Sequence, residues 1–224
     1  MQYQAEKLVD LARVSGGKVI CRNDYFRRGI PGAVNAGLVR ETVAEKLLNA
    51  AALLPKGCRF LVYDGWRPYV VQHRLYCDYF CALGLDDAHA QWSVQTLRQK
   101  AGEFVAFPQR GEAFSYAHSS GGAVDLTILG KDGKAWEMGS GFDEFSPRSH
   151  TDYYERRDPA SPEAENRRFL QKILNEQGFV NLPEEWWHFD FGNKNWAAKN
   201  ACEPLYPSIY DLPPYLTGEV ESLV

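Results

Sequence analysis

The chain has 224 residues, 45% hydrophobic, 24% charged and 13% aromatic, a balance that fits a globular protein and excludes disordered and collagen-like classes. A formal charge of −4, with basic residues scattered rather than clustered, offers no footprint for nucleic acid. Residues 1–20 lack the basic and apolar regions of a signal peptide, and no stretch reaches the roughly eighteen apolar residues of a membrane span, so no membrane partner and a cytoplasmic location are expected.

From Glu41 to Leu54 the residues Val43, Leu47, Leu48 and Ala51 recur at helical spacing and Pro55 ends the run, which predicts an amphipathic helix. Phe60, Leu61, Val62 and Tyr63, closed by Gly65, predict a short strand. Pro68 marks the first turn of a helix through YVVQHRLYCDYFCALG, stopped by Gly84, and helix is expected again over 86–105. Cys77 and Cys81, four apart on that helix, share a face; with no further Cys or His at short spacing they read as thiols packed in a core rather than as metal ligands. The five cysteines are odd in number and dispersed, which suits a reduced compartment.

Gly121 and Gly122 break the chain before AVDLTIL, whose β-branched and leucine content predicts a strand. Residues 130–159 read as a long loop, of the kind that forms a wall or lid. Ser161 as N-cap, Pro162 in the first turn, Phe169, Leu170, Ile173 and Leu174 on one face and Gly178 beyond the end predict a last helix. Trp187, Phe189 and Phe191 then alternate with His188 and Asp190, as in a half-buried strand with one polar face. Without a βαβ rhythm or a glycine-rich phosphate loop, the expected class is α+β: one domain over 1–224, with a small antiparallel sheet and helices packed around it. Residues 208–224, rich in proline and acid, read as a surface tail; a homo-oligomer contact there stays open.

His118 and Asp125 are separated by a glycine turn that leads into a strand, and His188 offers a third donor from another strand. Two imidazoles and one carboxylate are a common set for catalytic zinc, with a fourth position for water. Taken alone, His118 with Asp125 is equally read as a hydrogen-bonded structural pair. Glu185, three residues before His188, is then available as a base, but on a straight strand the two would face opposite ways. The chain must therefore turn at Trp186 for both to reach one site. Arg67, past the end of a strand, is placed to hold an oxyanion or to form a salt bridge with Asp64.

The motifs YDGWRP (63–68), HSSGGAVDLT (118–127), MGSGFD (138–143) and EWWH (185–188) resemble, in order, those of the zinc D-alanyl-D-alanine dipeptidases, relatives of the vancomycin-resistance dipeptidase. The resemblance runs from about residue 20 to about 207. It implies one zinc ion per chain bound by His118, Asp125 and His188, with Glu185 as catalytic base and Arg67 stabilising the transition state. It implies Asp143 as the group that grips the substrate ammonium, and it places substrate anchoring just before His118, where this chain has Ser115 and Tyr116 in place of the family's usual serine. The implied reaction is hydrolysis of the small dipeptide D-Ala-D-Ala to two D-alanines. A D,D-carboxypeptidase or endopeptidase acting on peptidoglycan stem peptides, and a non-catalytic zinc-binding module, stand as alternatives.

Overall fold

The computed structural model describes residues 6–223. A short hairpin-like sheet pairs β1 (Leu8–Asp10) with β3 (Leu38–Arg40); between them lie α1 (Leu11–Val14), β2 (Val19–Cys21) and α2 (Asp24–Arg27). After β3 come α3 (Glu41–Ala51), β4 (Arg59–Asp64), α4 (Tyr69–Leu85), α5 (Val94–Phe104) and β5 (Ala123–Leu129). The last elements are α6 (Tyr153–Arg157), α7 (Pro162–Asn175), β6 (Val180–Asn181), β7 (His188–Asp190) and α8 (Lys194–Asn200). The class is α+β. The main sheet has the order β2-β4-β5-β7-β6, antiparallel throughout except at one edge, where β2 joins β4 in parallel.

Period-two alternation along β5 decides where chemistry is possible. Val124, Leu126 and Ile128 enter the main core with Leu47 of α3 and Leu170, Ile173 and Leu174 of α7. Leu47 is fully buried, which contributes about 1.5–3 kcal/mol relative to leaving it exposed. Asp125 and Thr127 therefore face the other way. Asp125 stands opposite His188 of β7, and a register shift in β4 between Val62 and Asp64 sets Asp64 opposite Asp125 as well. Cross-strand partners share a face, so three polar side chains gather on one patch of the sheet.

Several expectations need correction. Residues 208–223 are not a free arm: Leu216 and Val220 are buried with Leu8, Val34, Leu38 and Trp66, and Ser222 bridges to Val34. The indole of Trp66 donates to the Ile209 carbonyl, the Tyr69 amide to that of Tyr210, and the Ile209 amide to that of Ser119. Cys81 is exposed and Cys77 only half-buried, because the inward row of α4 runs through Gln72 and Tyr76, one position before the cysteines. The loop over 130–159 contains α6, and β7 is buried on both faces because its polar side is covered, His188 by Asp125 and Asp190 by Asn193 and Asn195. Residues 86–105 hold a short 3-10 turn and α5 rather than one helix.

Arg167 of α7, 2% exposed, fixes the segment that follows β5. Its guanidinium donates to the carbonyls of Met138, Arg148 and His150. Among the described residues no helix is long and apolar enough to cross a membrane.

Candidate active site

Two tight turns bring the polar residues together. Ahead of β5, Gly121 takes a left-handed φ of +73°, and a Cβ there would come within 2.4 Å of Leu8, so only glycine fits the close approach. This folds His118 back over β5, with Nε2 3.3 Å from Asp125 Oδ2. Ahead of β7, the Glu185 amide donates to the Leu182 carbonyl and the His188 amide to the Glu185 carbonyl. That is the bend at the tryptophans which the spacing of Glu185 and His188 demands. It leaves Glu185 Oε2 3.8 Å from His188 Nδ1.

His118, Asp125 and His188 form a buried set whose ligand atoms all lie within 4.8 Å of one another. The separations are 3.3 Å from His118 Nε2 to Asp125, 3.0 Å from His188 Nδ1 to Asp125 and 3.2 Å between the two nitrogens. A tetrahedral zinc with bonds of about 2.0–2.1 Å spaces its donors by about 3.3–3.4 Å, so the set fits such an ion with small adjustments.

Hydrogen bonds outside the set determine which nitrogens are donors to a metal. His118 Nδ1 lies 2.7 Å from the Gly65 carbonyl, which can only accept, so the proton sits on Nδ1 and Nε2 keeps its lone pair. His188 Nε2 lies 2.9 Å from Asp190 Oδ1, which leaves Nδ1 facing the site. Asp190 is held in turn by the side-chain amides of Asn193 and Asn195. Burial opposes charging of His188, but Asp190 and Asp125 outweigh it and raise the ring well above the ordinary histidine range. A proton and a metal thus compete for Nδ1. Burial likewise works against ionised Asp125, yet when protons rather than a metal occupy the site-facing nitrogens, charge and hydrogen bonds from the His118 and His188 rings hold that carboxyl below the usual range.

Arg67 stands beside this set, 8% exposed. Nε donates to Asp64 at 2.8 Å, Nη1 to Gln72 Oε1 at 2.7 Å and Nη2 to the Tyr25 hydroxyl at 3.2 Å, while Nη2 lies 3.5 Å from Asp125 Oδ2. The salt bridge to Asp64 expected of a local clamp is therefore present, but it is buried and aims the guanidinium into the site. Burial works against the charge on Arg67; Tyr25, Asp64 and Asp125 outweigh it and keep the guanidinium charged. Burial pushes Asp64 up to about 6 and Glu185 up to about 8.

A cavity of about 290 Å³ opens over these groups and is also lined by Tyr25, Arg28, Tyr116 and Asp143. Asp143, at a left-handed φ of +59°, accepts from the Tyr25 hydroxyl at 3.2 Å and from Arg28 at 2.7 Å. Burial raises its carboxyl above the ordinary range. The Tyr116 hydroxyl donates to the Arg67 carbonyl at 2.9 Å and so braces the arginine turn from the cavity wall. Ser115 does not line this cavity: its hydroxyl accepts from the Gln109 amide and its own amide donates to Ser208. Substrate anchoring by Ser115 is thus corrected, since neighbouring residues in extended chain face opposite ways. Sequence reasoning missed Tyr25, Gln72 and the site role of Asp64. Only Asp64 carried a signal, its place three residues before Arg67.

The family model described as D-Ala-D-Ala dipeptidase, peptidase M15, matches residues 4–205. The D-alanyl-D-alanine dipeptidase of Synechocystis is 32% identical over 202 residues, 82% of this chain and 81% of the relative. That of Enterococcus faecium is 30% identical over 181 residues, 76% of this chain and 77% of the relative. Among solved structures, a mutant of the vancomycin-resistance D,D-pentapeptidase VanY in complex with Zn(II) aligns over 76% of this chain and 84% of its own, with 16% identity and a TM-score of 0.44. The match along nearly the whole chain, with one buried His-Asp-His cluster beneath a cavity, makes this protein a peptidase that belongs to the M15 D-Ala-D-Ala dipeptidase family.

Proposed function

We propose that the chain hydrolyses D-Ala-D-Ala to two D-alanines, with one zinc ion held by His118, Asp125 and His188. The observation that carries this reading is the convergence of three deprotonable donors with a fourth acid, Glu185, which shares their cavity but stands aside from Asp125 and His118. A bound zinc supplies Lewis-acid polarisation of the scissile carbonyl and lowers the pKa of water from 15.7 to about 7.

Glu185 takes the proton of the attacking water and later delivers it to the departing amine. Burial among apolar neighbours, with Trp186 and Trp187 in the same turn, suits a carboxyl that must both accept and release a proton. Arg67 opposes the negative charge that develops on the carbonyl oxygen, held in plane by Asp64 and Gln72. Asp143 receives the substrate ammonium. Its present partner Arg28 is half exposed and free to shift towards water.

The cavity, at about 290 Å³, lies just below the roughly 300–1,000 Å³ usual for small-molecule sites, which favours a dipeptide over a wall polymer. The test is hydrolysis of D-Ala-D-Ala beside N-acetyl-D-Ala-D-Ala, with and without chelator. Chelator-sensitive preference for the free dipeptide is expected. Preference for the blocked substrate would make the enzyme a D,D-carboxypeptidase, and no hydrolysis by metal-loaded protein would leave a non-catalytic zinc module.

A further inference from the structure

The polar groups of the mechanism do not account for the whole cavity. Leu75 and Tyr79 line it from one face of α4, Phe104 and Val105 from the end of α5, Phe145 from the segment after Asp143, and Leu182 from the turn before Glu185. The three rings form a triangle: Tyr79 lies 4.8 Å from Phe145 and 6.2 Å from Phe104, and Phe104 lies 5.2 Å from Phe145, centroid to centroid. None of the three is fully buried by the protein itself.

D-Ala-D-Ala carries two methyl side chains, too little apolar surface to cover the five of these residues that stay partly exposed, Val105 being already buried. Apolar walls in a concave site gain free energy when a ligand removes them from water, and the gain follows the area covered. Offset and edge-on ring pairs of this kind also accept a further ring at the same spacings.

We propose that this apolar wall is a side-chain subsite, and that the preferred substrates are dipeptides bearing one large apolar or aromatic side chain, such as leucine or phenylalanine of D configuration. The proposal rests on the peptidase reading of the same cavity. Asp143 and Arg67 hold the peptide's charged and reacting groups, and the wall of Tyr79, Phe104 and Phe145 selects the side chain.

The experiment compares kcat/KM of the zinc-loaded full chain for D-Ala-D-Ala, D-Ala-D-Phe and D-Phe-D-Ala. At least one phenylalanine dipeptide is expected to exceed D-Ala-D-Ala, by about tenfold, the scale of discrimination that apolar pockets achieve. Phe104→Ala, with Tyr79→Ala as a second variant should the first fail to fold, is expected to lower the ratio of bulky to small substrate by about tenfold. The subsite is overturned if D-Ala-D-Ala is cleaved and neither phenylalanine dipeptide exceeds it, or if the folded variants leave the ratio unchanged. Failure to cleave any of the three would instead overturn the peptidase reading of this cavity, and the subsite with it.

Discussion

His188 Nε2 and Asp190 Oδ1 are 2.9 Å apart, and this bond selects the nitrogen that the ring offers to a metal. Partners of this kind set ligand orientation and basicity, so Asp190→Ala is expected to weaken zinc binding about 10- to 100-fold. Competition against a chromogenic chelator measures it. An unchanged affinity would show that the ring is oriented by packing alone.

Glu185→Gln keeps the size of the side chain and removes the base. Zinc content should be retained, while kcat falls by about 10²- to 10⁴-fold, the usual range for a lost general acid–base group. A variant that turns over at the original rate with full zinc would mean that another group takes the proton.

Arg67→Lys preserves a positive charge but cannot reproduce the fork that meets Asp64, Gln72 and Tyr25 together. If Arg67 acts on charge that appears only in the transition state, kcat should drop about 10²- to 10³-fold with KM little changed. A change confined to KM would place the guanidinium in ground-state binding.

Arg167 is buried and holds three carbonyls of the segment that carries Asp143. Arg167→Met leaves them without donors, at about 1–3 kcal/mol for each unsatisfied group that water does not reach. Thermal unfolding should move down, and KM for the dipeptide should rise more than kcat falls, because the metal donors lie on other elements. A lower melting temperature with unchanged KM would show that Asp143 keeps its place without the clasp.

Burial, reinforced by Asp10, pushes the Cys21 thiol up to about 12. At pH 8, iodoacetamide should therefore label the exposed Cys81 and Cys202 and spare Cys21 in the folded protein. The raised value has a consequence for stability: between about pH 9, where the unfolded thiol titrates, and about pH 12, where the folded one does, the native state binds more protons and stability falls with rising pH. Cys21→Ser should flatten that limb of a stability–pH curve; an equal slope in both proteins would remove the thiol as its source.

Local signals were enough where an element is long or sharply bounded. The strand Ala123–Leu129 follows from a β-branched run behind two glycines, and α7 follows from its serine cap and apolar stripe. The strands β1, β2 and β6 have two or three residues each and no readable period, so their pairing, including the parallel edge at β2, is decided by tertiary contacts. In the site, the donors and Glu185 are legible because each sits in a dense local motif. Tyr25 is not: it reaches Arg67 and Asp143 across 42 and 118 positions of sequence. Ser115 was misread because one residue of offset in extended chain moves a hydroxyl to the opposite side.

Ile209 links the turn that carries Arg67 to the turn that carries His118, accepting from the Trp66 indole and donating to the Ser119 carbonyl. During synthesis the metal donors are all present once His188 has left the ribosome, but the link from Trp66 to Ser119 through Ile209 forms only later. A nascent chain halted between these two points carries every ligand but lacks this strap, and is expected to bind a metal ion more weakly than the finished chain.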